Sequence, residues 1–167
     1  DLIIGLDLSS SNDLTAIGML FPEGDKFKFR GRYYVPESML KLSHNKNANI
    51  YQSWVKSGYL IATEGDTIDQ DYIKKDILKL AEDYNLISVA YDAWNATYLT
   101  TQLVGEGLTV EKVIPGFRTM SPACKELEVY TALNRIEHDN NPVMNWAMSN
   151  VVMEMDAAGN IKPNKAK

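Results

Sequence analysis

The chain has 167 residues, 45% of them hydrophobic and 23% charged, with a formal net charge of −5. These values are ordinary for one globular domain with a real core, and they exclude a protein that holds nucleic acid by bulk positive charge alone, though not one with a local basic rim. Cys124 is the single cysteine, which excludes a disulfide framework and a cysteine-built zinc cluster and suits a reducing, cytoplasmic setting.

Residues 2–20, LIIGLDLSSSNDLTAIGML, read as two strands joined by a polar turn over residues 9–13. Leu2, Ile3, Ile4 and Leu6 form a near-continuous apolar run, the pattern of a strand buried on both faces, and Asp7 lies inside that strand. A carboxylate in such a place is costly unless a cation or hydrogen-bond donors meet it. Asp7 is therefore either a metal ligand or a cap for the turn beside it. His44 and His138 are too few and too separated for a histidine-built site. No apolar run reaches the ~18–20 residues of a membrane span, and no signal peptide is visible. The chain starts at Asp1 directly before a strand and stops in the polar AAGNIKPNKAK, so a domain cut from a longer polypeptide is expected.

Residues 22–25 form a second turn. Phe27, Phe29, Tyr33 and Val35 then alternate with Lys28, Arg30, Arg32 and Tyr34, which predicts a half-buried third strand and an antiparallel meander. Residues 36–47 hold no sustained period and read as an excursion over the surface. A short helix with Ile50, Trp54 and Val55 on one side ends at Gly58, and residues 59–62 form a small edge strand. Asp69 or Asp71 opens a firmer helix, with Ile73, Ile77, Leu80, Ala81 and Tyr84 at helical spacing. Residues 87–91 are the next strand, ending in Asp92. Residues 94–104 form a helix closed by Gly105 and Gly107, and Val110, Val113 and Ile114 make a strand stopped by Pro115 and Gly116. This alternation implies right-handed crossovers and parallel pairing. A long helix is expected over residues 121–136, capped by Ser121, with Pro122 at its first position and Leu127, Tyr130, Leu133 and Ile136 as its apolar face. After the break at Asn140, Asn141 and Pro142 come a short helix over 143–147, a strand over 151–155 and a turn over 158–160. The expected fold class is α/β: a mixed sheet, antiparallel over its first three strands and parallel afterwards, flanked by helices.

Asp7 and Asp92 are the acids placed in or at the end of apolar strands. Ligands of open α/β sheets gather at the carboxyl ends of parallel strands. If the two strands are parallel neighbours, their aspartates meet at one edge. Two carboxylates within about 4–6 Å repel unless a cation lies between them. An oxygen-only donor set favours Mg²⁺ or Mn²⁺ over zinc. Two such ions about 3.5–4 Å apart are a recurring apparatus of phosphodiester hydrolysis, one activating water and the other steadying the leaving oxygen. Aspartates at strand ends also occur as loop caps, and the residues alone leave both readings open.

GLDLSSSNDLTA, the YDAWNAT segment around Asp92, and NPVMNWAMSNVVMEMDAAGNIKPNKAK together resemble the nuclease domain of the large terminase subunit of tailed double-stranded DNA bacteriophages. The resemblance covers nearly the whole chain; the first motif is loose, and the NP...W...SNV...D..GNIKP...K series is far more specific. It implies a ribonuclease H-like fold, one nuclease domain over residues 1–167 preceded by an ATPase motor, and metal-dependent cutting of concatemeric double-stranded viral DNA during packaging. It implies that Asp7 and Asp92 carry the first and second acidic motifs, catalytic and metal-holding, with two Mg²⁺ or Mn²⁺ as cofactors. It further implies a third acid on a helix beyond Lys167, so the 167-residue chain alone is expected to bind metal weakly and cut poorly. The implied partners are double-stranded DNA, the polypeptide's own ATPase domain, the small terminase subunit and a portal, with no membrane. The implied setting is the cytoplasm of an infected bacterial host.

Each further candidate has two readings. Asp13 reaches the metal edge through water or starts the second strand. Ser9 and Ser10 donate to a phosphate or close a hydrogen-bonded turn. Asn95 opens a helix whose N–H groups meet DNA phosphate, or only caps it. Lys162, Lys165 and Lys167, with Gly159 and Asn160, form a basic hairpin near the DNA path or a solvated tail. Asp156 and Asp139 are read as turn and cap residues. Trp54, Trp94 and Trp146 are read as core or interface aromatics rather than base-stacking platforms, and Met120, Met144, Met148 and Met153 as packing. Two other functions share the opening motif. An actin-like or sugar-kinase ATPase fragment lacks support from a second glycine-rich phosphate hairpin or a GxxxxGK[ST] loop. A non-catalytic docking module of the same fold is disfavoured by retention of both acids.

Overall fold

The computed structural model describes residues 1–94 and 96–164. Three strands open the chain: β1 (Leu2–Asp7), β2 (Thr15–Glu23) and β3 (Lys26–Pro36). β1 pairs antiparallel with β2 from Ile3↔Leu20 to Asp7↔Ala16, and β2 with β3 from Thr15↔Tyr34 to Glu23↔Lys26. Next come α1 (Ala48–Lys56), β4 (Ile61–Thr63), α2 (Gln70–Asp83), β5 (Leu86–Asp92), α3 (Thr97–Gly105) and β6 (Val110–Val113). The chain continues through α4 (Phe117–Ala132), β7 (Ile136–His138), α5 (Pro142–Ser149) and a hairpin of β8 (Met153–Met155) and β9 (Ile161–Pro163). The main sheet has seven strands in the order β4-β3-β2-β1-β5-β6, with β7 beside β3. β5 is parallel to β1, β6 to β5, and β4 and β7 to β3. Among the described strands of this sheet, β2 alone runs against the rest, so the expected mixed sheet is present.

Two cores hold the layers together. On one face, Leu2, Ile4 and Leu6 of β1 meet Ile73, Ile77 and Leu80 of α2 and Leu99 and Leu103 of α3. The helical residues recur every three or four positions and so form one stripe; each such buried side chain contributes about 1.5–3 kcal/mol. Asp69 caps α2, its Oδ1 accepting the N–H groups of Asp71 at 2.9 Å and Tyr72 at 3.1 Å. On the other face Tyr33, Val35, Met39, Tyr51, Trp54, Leu60 and Val143 pack between the sheet, α1 and α5. No helix among the described residues is long and apolar enough to cross a membrane.

Several elements depart from the sequence expectation. β1 is open on one face, because Gly5 and Asp7 are exposed while Leu2, Ile4 and Leu6 are buried. The last third of β3 is buried on both faces instead: Tyr34, expected outside, is fully buried and its hydroxyl donates to Asp76 Oδ2 at 2.5 Å. Burial and that bond push the Tyr34 phenol well above its ordinary range. Within residues 36–47, a 3-10 turn (Glu37–Leu40) carries Met39 into the second core. In α1 the buried residues are Ala48, Tyr51 and Trp54, with Ile50 exposed.

The largest shift is in α4, which starts at Phe117 and contains Ser121 and Pro122 in its interior. It ends early because Asn134 takes a left-handed conformation, φ 54°, the position that closes many helices. Arg135 N–H then bonds Tyr130 O at 2.8 Å and Asn134 N–H bonds Thr131 O at 3.0 Å. That stop frees Ile136 to form β7 against Phe27. Tyr130 packs on the Phe27 ring at 5.1 Å, but Leu127 and Leu133 are exposed, so the expected apolar face is only partly covered. Met148 and Met153 are likewise exposed rather than packed.

Gly5, Gly18 and Gly31 form one row across β1, β2 and β3, continued by Ala90 opposite Gly5. The Tyr33 ring occupies the space above Gly31: a Cβ there would lie 2.1 Å from Tyr33 Oη and 2.4 Å from Cζ, whereas nothing lies within 4 Å of one at Gly5. Tyr33 is itself packed in the second core. Gly31→Ala is therefore expected to lower stability by about 1–3 kcal/mol in urea unfolding, and Gly5→Ala to change it far less.

Candidate active site

A β-bulge sets the geometry of the site. Leu2 stands opposite Leu86, but Ile3 stands opposite Ser88, so Ile87 is an extra residue in β5. After the bulge the parallel register runs evenly to Leu6↔Tyr91. Leu6 and Tyr91 both face the first core, so the next residue on each strand, Asp7 and Asp92, turns to the opposite face. The two carboxylates thus project from neighbouring strand ends whose backbones lie about 4.8 Å apart. Were the strands paired residue for residue from Leu2↔Leu86, Asp7 would stand level with Tyr91 and the acids would be out of phase. Asp7 is exposed and Asp92 half-buried; Asp92 Oδ1 accepts the Trp94 N–H at 3.3 Å, which turns the chain before α3 starts at Thr97.

Both acids border two hollows. The larger, about 840 Å³, has Gly5, Ala16, Gly18 and Ala90 on its floor, Trp94, Val113, Pro115 and Met120 at its sides, and Glu154, Lys162, Pro163 and Asn164 of the β8–β9 hairpin above. The smaller, about 330 Å³, lies against Ser9, Ser10 and Asp13 of the β1–β2 turn, with Trp94 again at its edge. Small floor side chains let the larger hollow reach down to the sheet backbone.

The roof is fastened at three points. Lys162 Nζ pairs with Glu154 Oε1 at 2.8 Å, directly across the hairpin, and lies 4.9 Å above the Phe117 ring. Ser121 Oγ accepts the Ile161 N–H at 3.1 Å; this buried hydroxyl ties β9 to α4 instead of capping a helix. Asp156 closes the turn, Oδ1 accepting the N–H groups of Ala158 at 2.9 Å and Asn160 at 2.8 Å, and Oδ2 the Asn160 side-chain amide at 2.8 Å. The Asn160 bonds, side chain first, hold the Asp156 carboxyl below its ordinary range.

The other candidates fall as follows. Asp13 borders the smaller hollow, donates its N–H to Ser9 Oγ at 3.2 Å and accepts the Leu14 N–H on Oδ1 at 2.8 Å. Ser9 N–H donates to Thr15 Oγ1 at 3.0 Å, so both residues are built into the turn. Asp139 follows β7 and its Oδ1 accepts the Asn141 N–H at 3.3 Å. Neither Asp139 nor Asp156 borders the hollows. Asn95, Lys165 and Lys167 lie outside the described residues. Trp54 and Trp146 are core, their rings 5.6 Å apart; Trp94 is 75% exposed, contrary to the core reading. Glu154 was invisible to sequence reasoning, although its mirror position to Lys162 about the Ala158–Gly159 turn is a usable signal.

Among the described residues no group of three or more His, Cys, Asp or Glu side chains is placed to hold a metal ion. Two carboxylates open to water nonetheless fit Mg²⁺, which usually keeps several waters and takes one or two carboxylates together with substrate phosphates.

The model of the terminase large subunit endonuclease domain matches residues 1–167. The chain belongs to this family. It is 32% identical to the large terminase subunit of Enterobacteria phage HK97 over 98% of this chain and 33% of that sequence. The crystal structure of the HK97 large terminase superposes with a TM-score of 0.88 at 30% identity, over 99% of this chain and 35% of that one. The chain thus spans about a third of the HK97 relative it matches. The large terminase nuclease of thermophilic phage G20c with bound magnesium shares the fold at a TM-score of 0.56 and 14% identity, over 98% of this chain and 70% of that one. The sheet is accordingly the ribonuclease H-like sheet of an endonuclease domain of this family, and the ATPase-fragment alternative falls away.

Asp156→Asn is expected to leave any cleavage within a few-fold. Because the folded value of Asp156 is lowered, its support of the turn is complete above the ordinary aspartate range and is lost as pH falls below about 3.9; NMR titration of its carboxyl checks this.

Proposed function

We propose that the chain cleaves double-stranded DNA by metal-dependent phosphodiester hydrolysis, as the nuclease part of a viral genome-packaging protein. The observation that supports it most is the in-phase pairing of Asp7 and Asp92 at the foot of an open hollow, in a chain of this family. These two aspartates would hold Mg²⁺ or Mn²⁺, two ions in the full site. When bound, such ions supply positive charge at the phosphate and a water of lowered pKa. The bound magnesium of the G20c structure favours the same choice here.

The chain's own residues do the remaining work. The glycine and alanine floor admits a phosphodiester backbone close to the sheet. Lys162, held at the roof of the cleft by Glu154 and the Phe117 ring, offers a cation to a neighbouring phosphate. Asp13 and Ser9 stiffen the turn that carries Asp7, and Asn95, Lys165 and Lys167 are further candidate contacts to DNA. With a net charge of −5, lasting hold on DNA falls to partners: an ATPase motor region of the same polypeptide, the small terminase subunit and a portal. The place of action in this reading is the cytoplasm of an infected bacterial host.

Plasmid relaxation in Mn²⁺ by the longer polypeptide, carried past Lys167 through the helix of the implied third acid, tests the proposal. Asp7→Asn and Asp92→Asn are each expected to abolish nicking while unfolding like the parent; full cutting by either removes that residue from the site. A docking module of the same fold would nick nothing. Lys162→Ala is expected to weaken DNA binding on all sequences alike and to make the slope of log K against log salt shallower by about 1.

A further inference from the structure

Trp94 has no part in the chemistry above, yet its position is unusual. Tryptophan is highly buried on average; Trp94 is 75% exposed, while Trp54 is 7% exposed. It borders both hollows together with Asp7 and Asp92, and its backbone N–H is anchored on Asp92 Oδ1 at 3.3 Å. The ring is therefore rooted at the acid pair and directed away from either core.

We propose that Trp94 stacks on an unpaired nucleobase next to the phosphate bound at Asp7 and Asp92, so that the site favours locally opened DNA over a closed duplex. The inference rests on the nuclease reading. Its physical basis is contact. In the nuclease reading the ions at Asp7 and Asp92 meet the phosphate, and the exposed indole beside them offers an apolar face to a base. Aromatic stacking of this kind is worth roughly 5- to 150-fold in binding per base. In a closed duplex each base face is covered by its neighbours, and a flat ring gains full contact only with a base that has left the stack.

The test compares a closed duplex with the same duplex carrying a short mismatched bubble, both fluorescein-labelled, by anisotropy in Ca²⁺. The parent chain is expected to bind the bubble more tightly. Trp94→Ala should lose roughly 5- to 150-fold on the bubble, little on the duplex, and nothing in salt slope; Trp94→Phe should keep part of the preference. Acrylamide quenching of tryptophan fluorescence, dominated by the exposed Trp94, should fall when the bubble binds. Thermal unfolding of Trp94→Ala should match the parent. Equal binding of the two DNAs by the parent and by Trp94→Ala, or unchanged quenching on the bubble, overturns the inference and leaves the nuclease reading standing if the parent still cuts. A parent that neither binds nor cuts DNA removes both.

Discussion

A one-residue shift in the pairing of β1 with β5 brings Asp7 and Asp92 level on one face of the sheet. In a strand, alternate side chains face opposite sides, so a shift of one position exchanges core and surface. The pairing of β1 with β5 starts at Leu2↔Leu86 and, past Ile87, proceeds one step further along β5. Bulges bend and re-aim strands, and they are frequent beside active sites. Here the bulge lets Leu86, Val89 and Tyr91 face the same core although they are not evenly spaced. It also carries Asp92 to the face on which Asp7 already lies. The packing that stabilises β1 and β5 thus fixes the acids in phase, and core and site cannot be altered independently.

The placement of Asp7 and Asp92 at strand ends is legible because its signal is local: a charged letter closing an apolar strand. The bulge beside them is not, since ISVAYD reads equally well with or without an extra residue. Local signals also misled. Ser121–Pro122 looks like a helix start, but Gly116 is extended and the helix begins immediately after it. Ser121 is buried because β9, far along the chain, supplies its partner. The left-handed Asn134 that ends α4 is hidden in the letters by the apolar spacing of Leu127, Tyr130, Leu133 and Ile136, which continues past it. For Trp94 the core-or-interface reading leaves both placements open, because residue type favours burial, and only the structure excludes the core.

Charge is distributed with economy around the cleft. The carboxylates sit on the floor, and the lysine that faces them from above is already matched by Glu154 at 2.8 Å. A half-buried pair of this kind adds little stability by itself; its value is in orientation, because it holds a long flexible side chain in one direction over the Phe117 ring.

The floor of the cleft comes from residues 5–18 and 90–92, and its roof from residues 154–164. Contacts between segments so distant in sequence form late, because much of the intervening polypeptide must already be ordered before they become favourable. A nascent chain emerging from a ribosome would therefore display its two aspartates on a bare sheet, with the covering hairpin still unsynthesised. Completion of the cleft is tied in this way to translation through Pro163.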